Sequence, residues 1–389
     1  MTEDPVVFTI FLIFTGAAIL ATVALYARQA LLISYILLGI CLGPWGAGLV
    51  PDPDIVKAIG HIGIIFLLFL LGLNLPAQKF FHLVRKTTIV TGLSSLLFMT
   101  VGFALGRLFG FGVIESLVIG FTMMFSSTII ALKLLPTTVL HHRHTGEVVI
   151  SILLLQDVIA IAVLLFLEGM GRGEMPLLEM GSLVLTLPLL SVFAWLMERF
   201  VLSQLIRRFD KIQEYIFLLA IGWCLGMAEL AVLFGLSYEI GAFIAGVSLA
   251  AGIVSQFIAE RLKPLRDFFL VLFFFSIGAS LNLVVLQDVI LAALVITVTM
   301  LVMKPLVFHW LLRGSGESGR RSLEVGFRLG QMSEFSLLIA VMALEAGVIR
   351  TEVSYLIQAS TVLTFLISSY WIVLKFPTPV AVSDQLRKD

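Results

Sequence analysis

Asp157 stands ten residues after Glu147 and eleven before Glu168, inside the run Ile152-Leu-Leu-Leu-Gln-Asp-Val-Ile-Ala160. At a rise of about 1.5 Å per residue, it lies about 15 Å from either charged end. That is the midpoint of a helix able to cross about 30 Å of hydrocarbon. An ionised group at such depth costs at least about 2.5–3.5 kcal/mol, so its presence points to a task. A carboxylate there can hold a proton or a cation, and the bland reading is a polar residue hydrogen-bonded to a neighbouring helix. Glu334 is placed similarly, thirteen residues after Arg321 and eleven before Glu345. Its surroundings, Gly330-Gln-Met-Ser-Glu-Phe-Ser336, favour a locally unwound helix whose freed backbone groups line a site. The alternative is a structural acid paired to Arg328 or Lys304. Lys304 lies about 13 Å of helix rise from Arg313, deeper than a lysine comfortably snorkels. A pairing of Lys304 with Asp157 or Glu334 is expected, as is a break or kink at Pro305.

Hydroxyls complete the set. Ser126, Ser127 and Thr128 follow one another halfway along an apolar run and offer the oxygen ligands that hard cations prefer, although lone Ser and Thr in helices commonly bond the preceding turn. Later runs repeat a polar midpoint, with Ser333 and Glu334 in one and Gln358, Ser360 and Thr361 in the next. The two pairs of runs start from opposite faces of the membrane, the signature of an inverted repeat with a site at the midplane. His141, His142, Arg143, His144 and Glu147 superficially resemble a metal cluster. They lack zincin spacing and read as a solvated basic loop, with a pH-sensing element as the other reading. Gly102 and Gly106 match the small-xxx-small packing pattern.

The elements that must position these groups follow from composition. Of 389 residues 60% are hydrophobic and 13% charged, with a formal net charge of zero. Soluble domains are nearer 45–50% apolar and 25% charged, so the excess faces lipid. Zero net charge leaves no broad basic surface for nucleic acid. Cys41 and Cys224 both lie in apolar runs and build neither a disulfide framework nor a four-cysteine metal site. Thirteen apolar runs are expected to span the membrane, at 5–27, 30–50, 55–75, 88–109, 113–135, 147–168, 176–198, 214–234, 237–254, 267–285, 288–312, 321–345 and 352–374. Eighteen Lys and Arg fall on the side following odd-numbered runs and four on the other. The positive-inside rule then puts the N-terminus outside and the C-terminus in the cytoplasm. The fold class is an all-α polytopic membrane protein of one domain. Residues 1–168 form a first repeat half, 176–198 a linking helix, 214–374 a second half and 375–389 a short tail. With brief connections and no nucleophile and base in a plausible arrangement, an enzyme is not expected.

Seven strings, in order, resemble the monovalent cation:proton antiporter-2 family and within it the Kef-type potassium/proton antiporters. They are Leu38-Leu-Gly-Ile-Cys-Leu-Gly-Pro-Trp-Gly46, Phe66-Leu-Leu-Phe-Leu-Leu-Gly-Leu-Asn-Leu75, Ser126-Ser-Thr128, Leu154-Leu-Gln-Asp157, Gly241-Ala-Phe-Ile-Ala-Gly246, Phe273-Phe-Phe-Ser-Ile-Gly278 and Gly330-Gln-Met-Ser-Glu-Phe335. The resemblance implies a sodium/proton antiporter-like fold in a cell inner (plasma) membrane. It further implies two crossing, partly unwound helices and a homodimer whose mobile core moves against a dimerisation domain. By motif match Asp157 is the cation- and proton-binding carboxylate. Gln156 takes the place of Asp in electrogenic sodium/proton antiporters and of Asn in some electroneutral ones, and Gln-Asp points to potassium. Lys304 matches the basic residue before the second crossing, while Ser126 to Thr128 and Ser333-Glu334 match the crossings.

The implied function is exchange of a monovalent cation, potassium, for protons, electroneutral through one carboxylate. Sodium/proton exchange on the same fold is the alternative, and a cation channel a further one. No resident cofactor or metal is implied beyond the transported cation. The implied partners are that cation, the proton, membrane lipids and a second copy of the chain, with no nucleic acid and a separate regulatory subunit left open. Kef chains usually continue into a cytoplasmic nucleotide-binding domain, whereas this chain stops about fifteen residues after its last run. Gating through that domain is therefore not assumed. Asn74 and Asn282 stand where relatives often carry acids, and Glu239 is an acid many lack.

Overall fold

A computed structural model describes residues 5–27, 29, 31–50, 53–73, 77–134, 144–171, 177–209, 211–234, 236, 238–250, 255–376 and 378. Asn74 and the His141–Arg143 stretch fall outside them. The described chain is helical almost throughout, as a backbone in lipid must be when no water is there to satisfy it. In order the helices are α1 (Pro5–Tyr26), α2 (Leu31–Leu42), α3 (Pro53–Leu73), α4 (Ala77–Leu108), α5 (Val113–Met123), α6 (Thr128–Lys133), α7 (His144–Gly171) and α8 (Leu177–Met197). A π-helical turn, Glu198–Leu202, joins α8 to α9 (Ser203–Arg208), with the Ser203 hydroxyl donating to Glu198 at 2.6 Å. There follow α10 (Gln213–Leu233), α11 (Tyr238–Ala250), α12 (Ser255–Ser280), α13 (Leu283–Gly314), α14 (Gly319–Arg328), α15 (Glu334–Glu345) and α16 (Thr351–Lys375).

Each of the thirteen expected runs carries helix, but their lengths differ. Among the described residues, eight helical stretches are long and apolar enough to cross a membrane. Four shorter apolar helices, Leu31–Leu42, Gly60–Leu70, Tyr238–Ala250 and Asp267–Ser280, accompany them. Two expected runs are each split: 113–135 into α5 and α6, and 321–345 into α14 and α15. Pro305, expected to break or kink its run, does not break it: α13 continues through it for 32 residues. Glycines give the proline room, since a Cβ on Gly326 would meet the Pro305 carbonyl at 2.6 Å and one on Gly330 would meet its ring at 3.2 Å.

The chain divides into two compact units, to which both halves of the sequence contribute. The first comprises Met1–Ala17, Tyr35–Phe80 and Arg172–Ser280. Its helices touch through stacked rings, as at Phe66 and Phe269 with centroids 4.8 Å apart, and elsewhere through backbone. A Cβ on Gly72 would lie 2.5 Å from the Phe243 carbonyl, and one on Gly246 would lie 2.0 Å from that of Phe69, so α3 and α11 are in reciprocal contact. Small residues permit such approach, and close packing is what holds helices together where lipid offers no hydrophobic drive. Glu239, on the first turn of α11, accepts a 2.8 Å hydrogen bond from His61 of α3.

The second unit comprises Ala18–Ser34, Phe81–Gly171 and Leu281–Asp389. Its core joins Val90 and Phe98 of α4 to Val149 and Ile152 of α7, Phe308 and Leu312 of α13, and Val325 of α14. Gly102 and Gly106 serve packing as expected: Cβ atoms there would meet the Cα atoms of Gly120 and Ser116 on α5 at 2.8 and 2.9 Å. Asn282 caps α13, accepting from the Val284 amide at 2.9 Å. All the site residues expected from the sequence belong to this unit.

Candidate functional site

Two breaks in helix define the site. Between α5 and α6 the residues Met124–Ser127 are not helical, and between α14 and α15 neither are Leu329–Ser333. Every break frees backbone donors and acceptors that a buried site must satisfy. Here two hydrogen bonds run directly from break to break. The Ser126 hydroxyl donates to the Leu329 carbonyl at 2.9 Å, and the Gln331 amide nitrogen to the Ser127 carbonyl at 3.4 Å. Ser336 donates to the Thr122 carbonyl. Ser333 is the N-cap of α15, its oxygen accepting from the Phe335 amide at 3.2 Å while Ser336 accepts from the Ser333 amide at 3.3 Å.

Lys304 ties the breaks together. Its ammonium, fully buried, donates to the carbonyls of Phe125 in the first break and of Gln331 in the second, at 2.5 and 3.0 Å, and reaches the Ser126 hydroxyl at 3.4 Å. The ring of Phe98 covers it, with the centroid 5.3 Å away. An ammonium has three donors, and these three acceptors occupy them. Lys304 therefore does not form the expected ion pair with Asp157 or Glu334. Two carbonyls released by broken helices compete better for it because they are fixed close by.

Gln156 and Asp157, in the middle of α7, face the first break with different tasks. Gln156 accepts from the Ser126 amide at 3.0 Å and donates to the Met124 carbonyl at 3.1 Å, so its side chain replaces backbone bonds that the break removes. Asp157, 2% exposed, accepts from the Thr128 hydroxyl at 3.4 Å. Glu334, 4% exposed, accepts from the Ile129 amide at 3.3 Å, and its second oxygen has no hydrogen-bond partner. Ser127 accepts from the Ile130 amide at 3.1 Å, turning its hydroxyl into the start of α6. Of the residues expected to bind or compensate charge, Ser126, Ser127 and Ser333 lie in a break, Gln156 and Lys304 bond to one, Thr128 and Glu334 begin the helices that follow, and Asp157 meets Thr128. What converges is a pair of carboxylates, several hydroxyls and a lysine held on carbonyls.

Other expectations are placed differently. Arg328 pairs with Glu324 at 2.9 Å and donates to the Leu134 carbonyl at 2.9 Å, so it is not the partner of Glu334. The four-residue spacing of Glu324 and Arg328 was a legible helix pair. Ser360 and Thr361 fold back on the carbonyls of Leu356 and Ile357. The neighbours that do serve the second break are Thr364, accepting from the Met332 amide at 3.0 Å, and Ser368, donating to the Gln331 side-chain oxygen at 3.0 Å. Of the histidine cluster, His144 lies between Glu147 at 3.1 Å and Glu317 at 2.7 Å, and Arg321 pairs with Glu317 at 2.7 Å.

Known proteins fit this geometry. Residues 10–375 match the family described as sodium/hydrogen exchanger, transmembrane. The iron transporter MagA of Paramagnetospirillum magneticum is 28% identical over 92% of this chain and 84% of its own length. K(+) efflux antiporters 6 and 4 of Arabidopsis thaliana are 29% and 30% identical over 87% of this chain, which spans 58% of their length. The structure of the sodium proton antiporter MjNhaP1 from Methanocaldococcus jannaschii aligns with a TM-score of 0.71, covering 98% of this chain and 97% of that one. At 17% identity that likeness is one of fold. With a match running nearly from end to end, the chain belongs to the sodium/hydrogen exchanger transmembrane family.

Proposed function

We propose that this chain exchanges a monovalent cation, potassium, for protons, with Asp157 as the carboxylate that carries each in turn. The observation that carries the reading is the employment of Lys304: its three donors go to Phe125, Gln331 and Ser126, so the buried charge of Asp157 is left for a transported ion. Asp157 holds a proton or a dehydrated cation but not both, because a neutral carboxyl no longer offsets the cation's desolvation. The Thr128 hydroxyl, already facing Asp157, supplies a further oxygen ligand of the type that hard cations take. The family match and the likeness to the Arabidopsis K(+) efflux antiporters support the cation and the coupling.

With Gln156 neutral, one titrating carboxylate makes exchange one-for-one and electroneutral, provided Glu334 and Lys304 keep their protons through the cycle. In this reading 1–168 and 214–374 are inverted halves joined by 176–198, the N-terminus lies outside and the C-terminus in the cytoplasm of the inner (plasma) membrane, and the working unit is a homodimer. Purified protein in liposomes with an internal pH dye tests the function against potassium, sodium, rubidium and ferrous iron. Proton movement driven best by potassium, saturable and without unitary current, is expected. A response to sodium alone would reassign the cation, one to iron alone would follow MagA, and conductance without proton coupling would make the protein a channel.

A further inference from the structure

The buried face of α4 carries hydroxyls that nothing above employs. Thr87, Thr91 and Ser95, at 5%, 0% and 2% exposure, recur every four residues and so lie in one line along the helix. None of their side-chain oxygens has a hydrogen-bond partner. That sets them apart within this molecule. Many hydroxyls on its other helices fold back on the carbonyl three or four residues earlier, as Thr122, Thr297 and Ser369 do, and so do Ser94 and Thr100 of α4 itself. Folding back is the ordinary choice of a hydroxyl in a membrane helix. Three successive turns that decline it aim their hydroxyls instead toward the interior, where the core is otherwise apolar.

A buried hydroxyl left without a partner is costly, and a water molecule of two or more bonds is the small ligand that meets such a group. The spacing suits it. Four residues rise about 6 Å along a helix, and two O–H···O hydrogen bonds of about 2.8 Å span about 5.6 Å, so one water bridges each pair of hydroxyls. The line ends one turn from Phe98, whose ring covers Lys304. We propose that the buried face of α4 binds a single file of water from Thr87 to the level of Lys304, and that this file conducts protons. A proton passes along hydrogen bonds from water to hydroxyl to water. The water file stands on the geometry of α4 alone; its proton role rests on the exchange proposed above.

Radiolytic hydroxyl footprinting in liposomes tests the file, because radicals born in bound water modify side chains beside it even when these are buried. Phe98, with 0% exposure, is expected to be modified rapidly in the native protein and slowly in T87V/T91V/S95A, with T91V and S95A as milder variants should the triple one misfold. Proton-coupled exchange is expected to slow about tenfold in the triple variant, while thallium(I) still shifts the melting temperature as in the native protein. An unmodified Phe98 in the native protein, or equal modification in the variants, overturns the file; a raised melting temperature in T91V with no change at Phe98 would show instead a dry, unsatisfied hydroxyl. Loss of the footprint with unchanged exchange overturns the proton role. Absence of any exchange by the native protein would reject the proposed function and leave the footprint readable.

Discussion

Gln156 completes the backbone at Ser126: its side-chain oxygen takes the Ser126 amide at 3.0 Å and its nitrogen gives to the Met124 carbonyl at 3.1 Å. A side-chain amide carries its donor and its acceptor on separate atoms, and the break between α5 and α6 presents one partner for each. The residue next to Asp157 is therefore part of the frame of the site as well as part of its charge balance.

Asp157→Asn keeps the acceptor facing Thr128 and removes the charge. Cation-driven proton movement in liposomes is expected to fall about a hundredfold or more, since losing the carboxylate's attraction for a desolvated ion is worth several kcal/mol and each 1.4 kcal/mol is tenfold. Retained exchange would overturn the assignment.

Gln156→Leu strands the Ser126 amide and the Met124 carbonyl. An unsatisfied buried polar group costs about 1–3 kcal/mol, so a clear drop in melting temperature in detergent is expected. Gln156→Asp retains the acceptor and adds a second charge. Exchange in that variant should become sensitive to an imposed membrane potential, read as a change of rate with a valinomycin clamp.

Lys304→Met removes the donor that both breaks share and leaves the Phe125 and Gln331 carbonyls unmet. A loss of about 3 kcal/mol is expected from two such groups, seen as thermal instability before any effect on transport is read. Lys304→Arg should not restore it, because a planar guanidinium cannot reproduce the point-like geometry of an ammonium.

Glu317 lies in the turn between α13 and α14. Burial pushes its carboxyl up, but the hydrogen bonds from Arg321 and His144 outweigh that and hold it below the ordinary 4.5. A carboxylate lowered on folding contributes stability above its unfolded value and loses it as pH falls through its folded value. Glu317→Gln should therefore lower the melting temperature at pH 7 and have no effect near the acid end of the titration, below the folded value. A pH-independent effect would place the contribution in packing.

Much of this was legible in the chain because the membrane makes polarity expensive. Asp157, Glu334 and Lys304 stood out against apolar runs of the right length, and Gly330-Gln-Met-Ser-Glu announced a broken helix because residues that compete for backbone bonds cluster there. Ser126 to Thr128 stood out as three successive hydroxyls, and only the family resemblance tied them to a crossing. What was not legible is who meets whom. An ammonium among buried acids suggests an ion pair by charge alone, yet Lys304 meets the carbonyls of Phe125 and Gln331. Backbone carbonyls carry no sequence signal, since every residue has one.

The sequence by itself determined that the chain lives in lipid, that a helix fails beside Glu334 and that a few ionisable groups are buried at mid-span, because each is a matter of local composition against a uniform solvent. Only the tertiary structure decided that this failure lies against a second, 203 residues apart at Ser126 and Leu329. It also decided that Lys304 is consumed in joining them and that Asp157 is not neutralised by it. Those are choices among competing acceptors, and distance in space settles them.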